Sequence, residues 1–304
     1  MYNSNLFTKK LNVVILAMLC MLLWGSAFPA VKIGYDLFDI GPDQTGSKII
    51  FAGCRFFIAG FITMAIAHFS IDIKKEREKI SKRNIMTLGF IQTSLQYIFF
   101  YVGLSNTTGS KGAIITGMGT FITVILAHFL INNDKMNRKK VIGCIIGFIG
   151  IVIINYSSTD LFQLSFFGEG FIFIAAIAFA VGAILSKEYT SRQNPILLTS
   201  YQMIFGGFLL ITIGMLMGGR ILTISVSAVC LLLYLAILSA LAFTIWTLLI
   251  KYNPVGEISI YNALTPIFGT ILSGVLLGDD VFNIKSIMAL FCVSLGIFIV
   301  NSKK

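Results

Sequence analysis

The chain alternates between long apolar runs and short polar connections along its whole length. An α-helix rises about 1.5 Å per residue, so apolar runs of about 17 to 25 residues are long enough to cross a hydrocarbon layer about 30 Å thick. The pattern therefore predicts an all-α polytopic membrane protein with ten transmembrane helices. The predicted helices are 11–31, 48–69, 85–104, 112–131, 140–155, 167–186, 196–217, 227–250, 257–277 and 285–300.

The second half of the chain repeats the first. At an offset of 146, residues 111–155 correspond to 257–301, and an offset of 147 pairs Arg55 with Gln202. We therefore expect two five-helix repeats, 1–156 and 157–304. Because five is odd, the second repeat enters the membrane with the opposite orientation. Inverted repeats of this kind are typical of secondary transporters, which hold their substrate near the membrane midplane.

Composition agrees with a membrane protein. Hydrophobic residues make up 57% of 304 positions and charged residues 12%, whereas a soluble protein has about 25% charged residues. The net charge of +10 comes from basic residues in short loops rather than on an aromatic-rich face, so we expect lipid and a small molecule as partners and no nucleic acid. Most of the 23 Lys and Arg residues fall in loops on the side of the N-terminus, which predicts that both termini are cytoplasmic.

Neither a leader peptide nor a cofactor is expected. Lys9 and Lys10 before the first apolar run imitate a signal peptide, but the run exceeds the usual 7 to 15 residue core and is read as a retained helix. The five cysteines lie in apolar runs without C-x-x-C spacing, which predicts no metal site. The chain has no GxxxxGK loop for ATP.

Acidic residues are confined to loops and helix ends. A multidrug-type proton antiporter needs a carboxylate at mid-membrane, so that mechanism is disfavoured. Uniport, or proton coupling through Glu169 or Glu257, stays open. His68 and His128 are the only cue toward an enzyme, and no acid or Cys stands at ligand spacing from them, so we expect a protein that is not an enzyme.

Three polar residues in the second and third helices are candidates for contact with a solute. Arg55 lies within the membrane, where a charge usually faces the protein interior. Its guanidinium binds either a substrate carboxylate or helix-end carbonyls, or it extends outward to the interface. Gln92 and Gln96 stand one helical turn apart beside Tyr97 and Tyr101. This face suits a neutral or zwitterionic solute, and hydrogen bonding between helices is the alternative.

Pro266 stands in the middle of the ninth predicted helix. Proline cannot donate a hydrogen bond to the carbonyl four residues earlier, which belongs to Asn262, so a kink is expected there. We interpret Pro266 as a candidate hinge.

Several short motifs stand at matching places in the predicted helices. They are Trp24-Gly25-Ser26 with Phe28, Cys54-Arg55-Phe56, Leu264-Thr265-Pro266-Ile267 and Leu276-Leu277-Gly278-Asp279-Asp280. With ten helices in two copies of five, they make the chain resemble the EamA-type branch of the drug/metabolite transporter superfamily. The sequence departs from that family at Gly278-Asp279-Asp280, where the family commonly has Gly-Glu, at Thr120 opposite Pro266, and at Ala180, where an aromatic is frequent.

The resemblance implies a multi-pass carrier in a bacterial cytoplasmic membrane, often an exporter of amino acids or related compounds. It implies a cavity lined by the first, third, fourth, sixth, eighth and ninth helices. Trp24, Trp246, Tyr261 and Asn262 lie on those helices and join Arg55, Gln92, Gln96 and Tyr101 as candidate cavity residues. We expect alternating access of a small, amino-acid-like metabolite. A carrier of nucleosides or other neutral metabolites, and a polytopic protein that does not transport, remain alternatives.

Overall fold

A computed structural model describes residues 4–106, 109–132, 134–155, 165–277 and 284–301. Within these ranges the chain is helical, without strands, so the predicted all-α class is confirmed. The α-helices, numbered α1 to α14, are Ser4–Thr8, Lys10–Leu37, Thr45–Ser70, Ile73–Arg77, Lys82–Leu88, Gln96–Ser105, Gly109–Leu130, Arg138–Asn155, Phe171–Thr190, Pro195–Leu216, Val226–Tyr252, Val255–Ser259, Leu264–Leu277 and Ile284–Asn301. Asp279, Asp280 and the repeat boundary at 156/157 lie outside the described residues.

The structure contains long membrane-spanning helices. In the described part, seven helices are long and apolar enough to cross a membrane. They are Lys10–Leu37, Thr45–Ser70, Lys82–Leu104, Phe166–Thr190, Pro195–Leu216, Val226–Tyr252 and Val255–Leu276. The other three predicted segments are covered by α7, α8 and α14. The first helix extends beyond the predicted end at residue 31 because neither Pro29 nor Lys32 interrupts it.

The third spanning segment changes its winding in the middle. Between α5 and α6, Gly89–Leu95 forms a π-helical turn, in which the Gln96 amide donates to the Ile91 carbonyl. The turn lies against α10, where Ser94 Oγ donates to the Gly206 carbonyl at 3.1 Å. Such bulges rotate the residues that follow relative to those before, so Gln92 and Gln96 do not share the face that regular α-helical spacing predicts.

The last of these seven spanning segments, Val255–Leu276, is also irregular. It passes from α12 through a 3₁₀ turn, Ile260–Ala263, into α13. Pro266 stands at the third position of α13. Its missing N–H leaves the Asn262 carbonyl without an i→i+4 partner, which favours tighter winding just before it.

Two close helix pairs join the halves of the chain. Helix α3 packs along α10, and α8 packs along α14. Glycines bring the backbones together: a Cβ built at Gly207 of α10 would lie 2.5 Å from the Phe57 nitrogen of α3, and one at Gly143 of α8 would lie 2.6 Å from the Gly296 carbonyl of α14. In addition, α2 packs against α11 and α13, while α7 packs against α9. These contacts surround the centre of the molecule.

Candidate substrate cavity

A cavity of about 200 Å³ lies inside the helix bundle. It is bordered by α2, α3, α6, α7, α9, α11, α13 and the 3₁₀ turn before α13. Most of its lining is aromatic or aliphatic. The side chains are Trp24, Ala27, Phe28, Val31, Lys32, Tyr35, Arg55, Gln96, Tyr97, Phe100, Tyr101, Leu104, Thr116, Gly117, Thr120, Ile172, Ala175, Ala176, Phe179, Phe243, Asn262, Thr265 and Pro266.

The cavity occupies one half of the bundle. The lining residues of α2 run from Trp24 to Tyr35, in the half of that helix nearer its C-terminus. Toward the N-terminal end of α2, the interior is filled by a buried apolar cluster that includes Val13, Ala17 and Ile250. We call this filled region the closed end.

Two polar clusters tie the closed end together. Lys187 Nζ donates to the last carbonyls of α11, at 2.8 Å for Ile250, 2.9 Å for Lys251 and 2.8 Å for Asn253. Asp134 forms a buried ion pair with Lys140. The second oxygen of Asp134 accepts a hydrogen bond from the Gly256 N–H at 2.7 Å, at the start of α12. We call Asp134, Lys140 and Gly256 the Asp134 cluster.

Arg55 is the buried cation of the cavity, with 3% of its surface exposed. Its Nε donates to Ser239 Oγ of α11 at 2.7 Å, and Ser239 Oγ in turn donates to the Leu235 carbonyl at 2.8 Å. The guanidinium also lies over the Phe56 ring, 5.2 Å from its centroid. Arg55 is thus held by a hydroxyl and a ring, rather than by the helix-end carbonyls that the sequence left as an alternative.

Several polar atoms at the cavity are buried without a protein partner. Among the described residues they include Trp24 Nε1, Gln96 Oε1, Thr120 Oγ1 and both amide atoms of Asn262. Buried polar groups without partners are rare in proteins because each costs about 1–3 kcal/mol. Their convergence on one cavity indicates that water or a polar ligand hydrogen-bonds to them there.

The structure brings most of the predicted cavity residues together. Trp24, Arg55, Gln96, Tyr101 and Asn262 line the cavity, together with the predicted hinge Pro266.

Three predicted residues lie behind this lining. Gln92 packs against α9, where a Cβ at Gly182 would lie 2.9 Å from the Gln92 Cβ. Trp246 stacks edge-on against Trp24, with ring centroids 5.3 Å apart. Tyr261 is 2% exposed within the apolar cluster of the closed end.

Ser239, Thr120 and Phe179 are structurally important residues that the sequence did not single out for the site. Ser239 binds Arg55, and the other two line the cavity. Ser and Thr occur widely in membrane helices, so their composition gives no signal. The internal repeat does give a signal for these two residues, because an offset of 146 pairs Ser239 with Thr93 and Thr120 with Pro266.

A multi-pass helical bundle with an internal cavity is an architecture typical of membrane carriers. The comparisons with known proteins agree. The model of the EamA-like transporter family matches residues 11–156 and again residues 166–302. The chain belongs to the EamA-like transporter family, and it is a transporter rather than an enzyme.

Individual relatives have low sequence identity to this chain, but most of the matches extend over much of its length. An uncharacterized transporter of Archaeoglobus fulgidus is 26% identical over 94% of this chain and 97% of its own length. Uncharacterized transporter YyaM of Bacillus subtilis is 29% identical over 68% of this chain, a match that covers 66% of that protein. A probable amino-acid metabolite efflux pump of Salmonella typhimurium is 21% identical over 89% of this chain and 88% of its own length.

One solved crystal structure matches 94% of this chain and 95% of its own chain with a TM-score of 0.77 at 14% identity. At that identity the likeness supports the fold alone.

Proposed function

We propose that the chain is a secondary carrier that moves a small, amino-acid-like metabolite across a bacterial cytoplasmic membrane by alternating access. The observation that carries this proposal is the cavity, which is lined by residues of both halves of the chain and lies beside the C-terminal half of α2, whereas the N-terminal end of α2 meets a buried apolar cluster. A carrier must close one end before it opens the other. A cavity filled at one end by an apolar cluster and tied there by polar clusters has the form of one such state.

We further propose that ten helices cross the membrane as two inverted repeats, 1–156 and 157–304. Two hydrogen bonds support this arrangement. Arg55 Nε donates to Ser239 Oγ at 2.7 Å, and Thr93 Oγ1 donates to Gln202 Oε1, also at 2.7 Å. The repeat offsets convert one pair of positions into the other. An internal two-fold axis in the membrane plane explains why the same contact occurs twice.

The glycines of the α3 and α10 pair give independent support. A Cβ at Gly53 would lie 2.9 Å from the Gly207 carbonyl, and a Cβ at Gly207 would lie 2.9 Å from the Gly53 carbonyl. Such reciprocal contact is expected where two equivalent helices cross near a two-fold axis.

We propose that Lys32 and Lys187 exchange roles when one end of the carrier opens and the other closes. The two residues are 155 positions apart, as are Trp24 and Phe179, and all four fall on the matched helices α2 and α9. At the closed end Lys187 caps the carbonyls of α11, whereas Lys32 lines the cavity. In the opposite state we expect Lys32 to cap the end of α6 and Lys187 to line the cavity. The 3₁₀ turn before Pro266 provides a hinge for this motion.

The distribution of basic residues supports an orientation of the chain in the membrane. The closed end is the side on which Lys9, Lys10 and the basic loop around Lys135 lie. Basic loops stay in the cytoplasm, so both termini are proposed to be cytoplasmic and the cavity to reach toward the outside.

Chemistry at the cavity supports an amino-acid-like substrate, as does the similarity to a probable amino-acid metabolite efflux pump. A cavity of about 200 Å³ suits a small solute, and its cation, amide groups and apolar walls match the three parts of an amino acid. Nucleosides are the second class to test, because the same amides and aromatic rings would bind a base.

The test is uptake of labelled amino acids into liposomes that hold the purified chain, with and without a pH gradient. We expect saturable uptake of some amino acids by the wild type. In Thr120→Phe the added ring fills the cavity and lowers uptake by about tenfold or more. The matched control is Thr212→Phe, because Thr212 lies outside the cavity and bonds the Phe208 carbonyl of its own helix at 3.0 Å.

Uptake that is equal in the two variants would contradict the assignment of the cavity as the transport pathway. Uptake of nucleosides with no uptake of any amino acid would replace the proposed substrate class. Absence of uptake for both classes would contradict the proposed carrier.

A further inference from the structure

Arg55 is a buried charge, and the described part of the cavity wall supplies no carboxylate to balance it. None of the described residues that line the cavity is Asp or Glu, and Lys32 adds a second cation toward the open end. A buried charge without an opposite partner is strongly unfavourable in a membrane protein. The cavity therefore has an excess of positive charge, which an anionic group on a ligand would balance.

The guanidinium is also held in place. Ser239 Oγ fixes its Nε and the Phe56 ring lies beneath it. A guanidinium has five N–H donors; Ser239 Oγ takes one of them, and the Tyr101 hydroxyl also hydrogen-bonds to the group. The planar group is therefore presented to the cavity in a fixed orientation, as bidentate binding of a carboxylate requires.

The repeat shows that packing alone does not need a cation at this position. Gln202 occupies the position equivalent to Arg55 and accepts from Thr93 Oγ1, as Arg55 donates to Ser239. Gln202 is 1% exposed and does not line the cavity. The same structural place is thus filled by an uncharged amide in one half and by a charge in the half that faces the cavity.

We infer that Arg55 is a carboxylate subsite and that the cavity selects small organic acids and zwitterions over organic cations. Gln96 Oε1 and Asn262 Oδ1, both buried at the cavity without partners among the described residues, are acceptors for the ammonium group of a zwitterion. An amine that lacks a carboxylate leaves Arg55 unbalanced and meets its repulsion. The inference rests on the proposed carrier function of the same cavity.

Equilibrium binding of ligands tests the Arg55 carboxylate subsite independently of transport. The chain has two Trp residues; Trp24 lines the cavity and Trp246 packs against it, so intrinsic fluorescence of the purified protein reports on occupancy. Three ligands share the same branched 3-methylbutyl group: leucine, 4-methylpentanoate, which lacks the amine, and 3-methylbutylamine, which lacks the carboxylate. We expect saturable changes with leucine and 4-methylpentanoate, and binding of the amine that is weaker by roughly 30-fold or more.

Substitutions at Arg55 and Gln202 distinguish an effect of the positive charge on ligand binding from an effect on folding. Arg55→Gln reproduces the residue found at the equivalent position and should weaken both carboxylates to the level of the amine. Arg55→Lys should keep the preference for carboxylates, as should the matched control Gln202→Ala. Where Arg55→Gln does not fold, the wild-type ranking and its retention in Arg55→Lys decide the question.

Three outcomes would overturn the inference: an amine that binds as tightly as the carboxylates, a preference that survives Arg55→Gln, or no binding of any of the three ligands. Liposome uptake shows whether the carboxylate subsite or the proposed carrier function has failed. Uptake of amines and carboxylates alike would refute the subsite and leave the carrier, whereas Arg55-dependent binding without any uptake would refute the carrier and leave the subsite.

Discussion

Asp134→Asn is expected to lower the free energy of unfolding by about 3–5 kcal/mol, because it leaves Lys140 charged and buried without its partner. Asp134 has 2% of its surface exposed and Lys140 has 4%, so water cannot replace the lost carboxylate. The second carboxylate oxygen also accepts the Gly256 N–H at 2.7 Å. That bond joins the loop between α7 and α8 to the start of α12, so the substitution loosens the closed end of the cavity. The measurement is thermal unfolding of the purified protein in detergent.

Two controls isolate the buried ion pair. In Asp134→Asn/Lys140→Met both charges are removed, and we expect most of the lost stability to return. Glu257→Gln removes a nearby carboxylate that is only half-buried, and it should cost less than about 1 kcal/mol. If the double variant were as unstable as Asp134→Asn, the cost would come from the hydrogen bond to Gly256 and not from the charge of Lys140.

Gly207→Ala is expected to destabilise the contact between α3 and α10 by more than about 2 kcal/mol. The added Cβ would lie 2.5 Å from the Phe57 nitrogen and 2.9 Å from the Gly53 carbonyl. Both atoms belong to backbone, so neither can turn aside as a flexible side chain would. The two helices must separate along their length. Folded yield and thermal unfolding of the variant in detergent measure the effect.

The matched control is Gly119→Ala in α7. There the nearest atom to an added Cβ is the Ala176 carbonyl oxygen at 3.5 Å, an ordinary contact distance. Alanine favours helix over glycine by about 1 kcal/mol, so this variant should be as stable as the wild type or slightly more so. Equal destabilisation of the two variants would show that the backbone contact between α3 and α10 is not what limits stability.

The apolar runs predicted the helices because membrane helices are defined by length and hydrophobicity, which are local properties. The helix ends were less accurate. Helix α2 continues to Leu37, beyond the predicted end at residue 31, since Lys32 is tolerated where α2 borders a cavity. Arg55 was predictable as a cavity residue because a charge within the membrane faces the protein interior.

The local sequence pattern could not predict which side chains share a face in the irregular helices. Gln92 and Gln96 would share a face in a regular α-helix, but the π-helical turn Gly89–Leu95 separates them. That turn depends on contacts with Gly206 of α10, more than a hundred residues away, which no local pattern reveals. Ser239 was missed for a related reason: its role is defined by the side chain it meets, Arg55, on another helix.

In the alternating-access cycle that we propose, the cap that Lys187 forms on α11 makes opening of the closed end depend on water. Its amino group satisfies three carbonyls at once, and Ser186 Oγ, on the preceding residue, is buried without a partner among the described residues. When the closed end opens, solvent must hydrate all of these groups together. Opening is therefore coupled to an uptake of water molecules, and osmolytes too large to enter the bundle will favour the state described above.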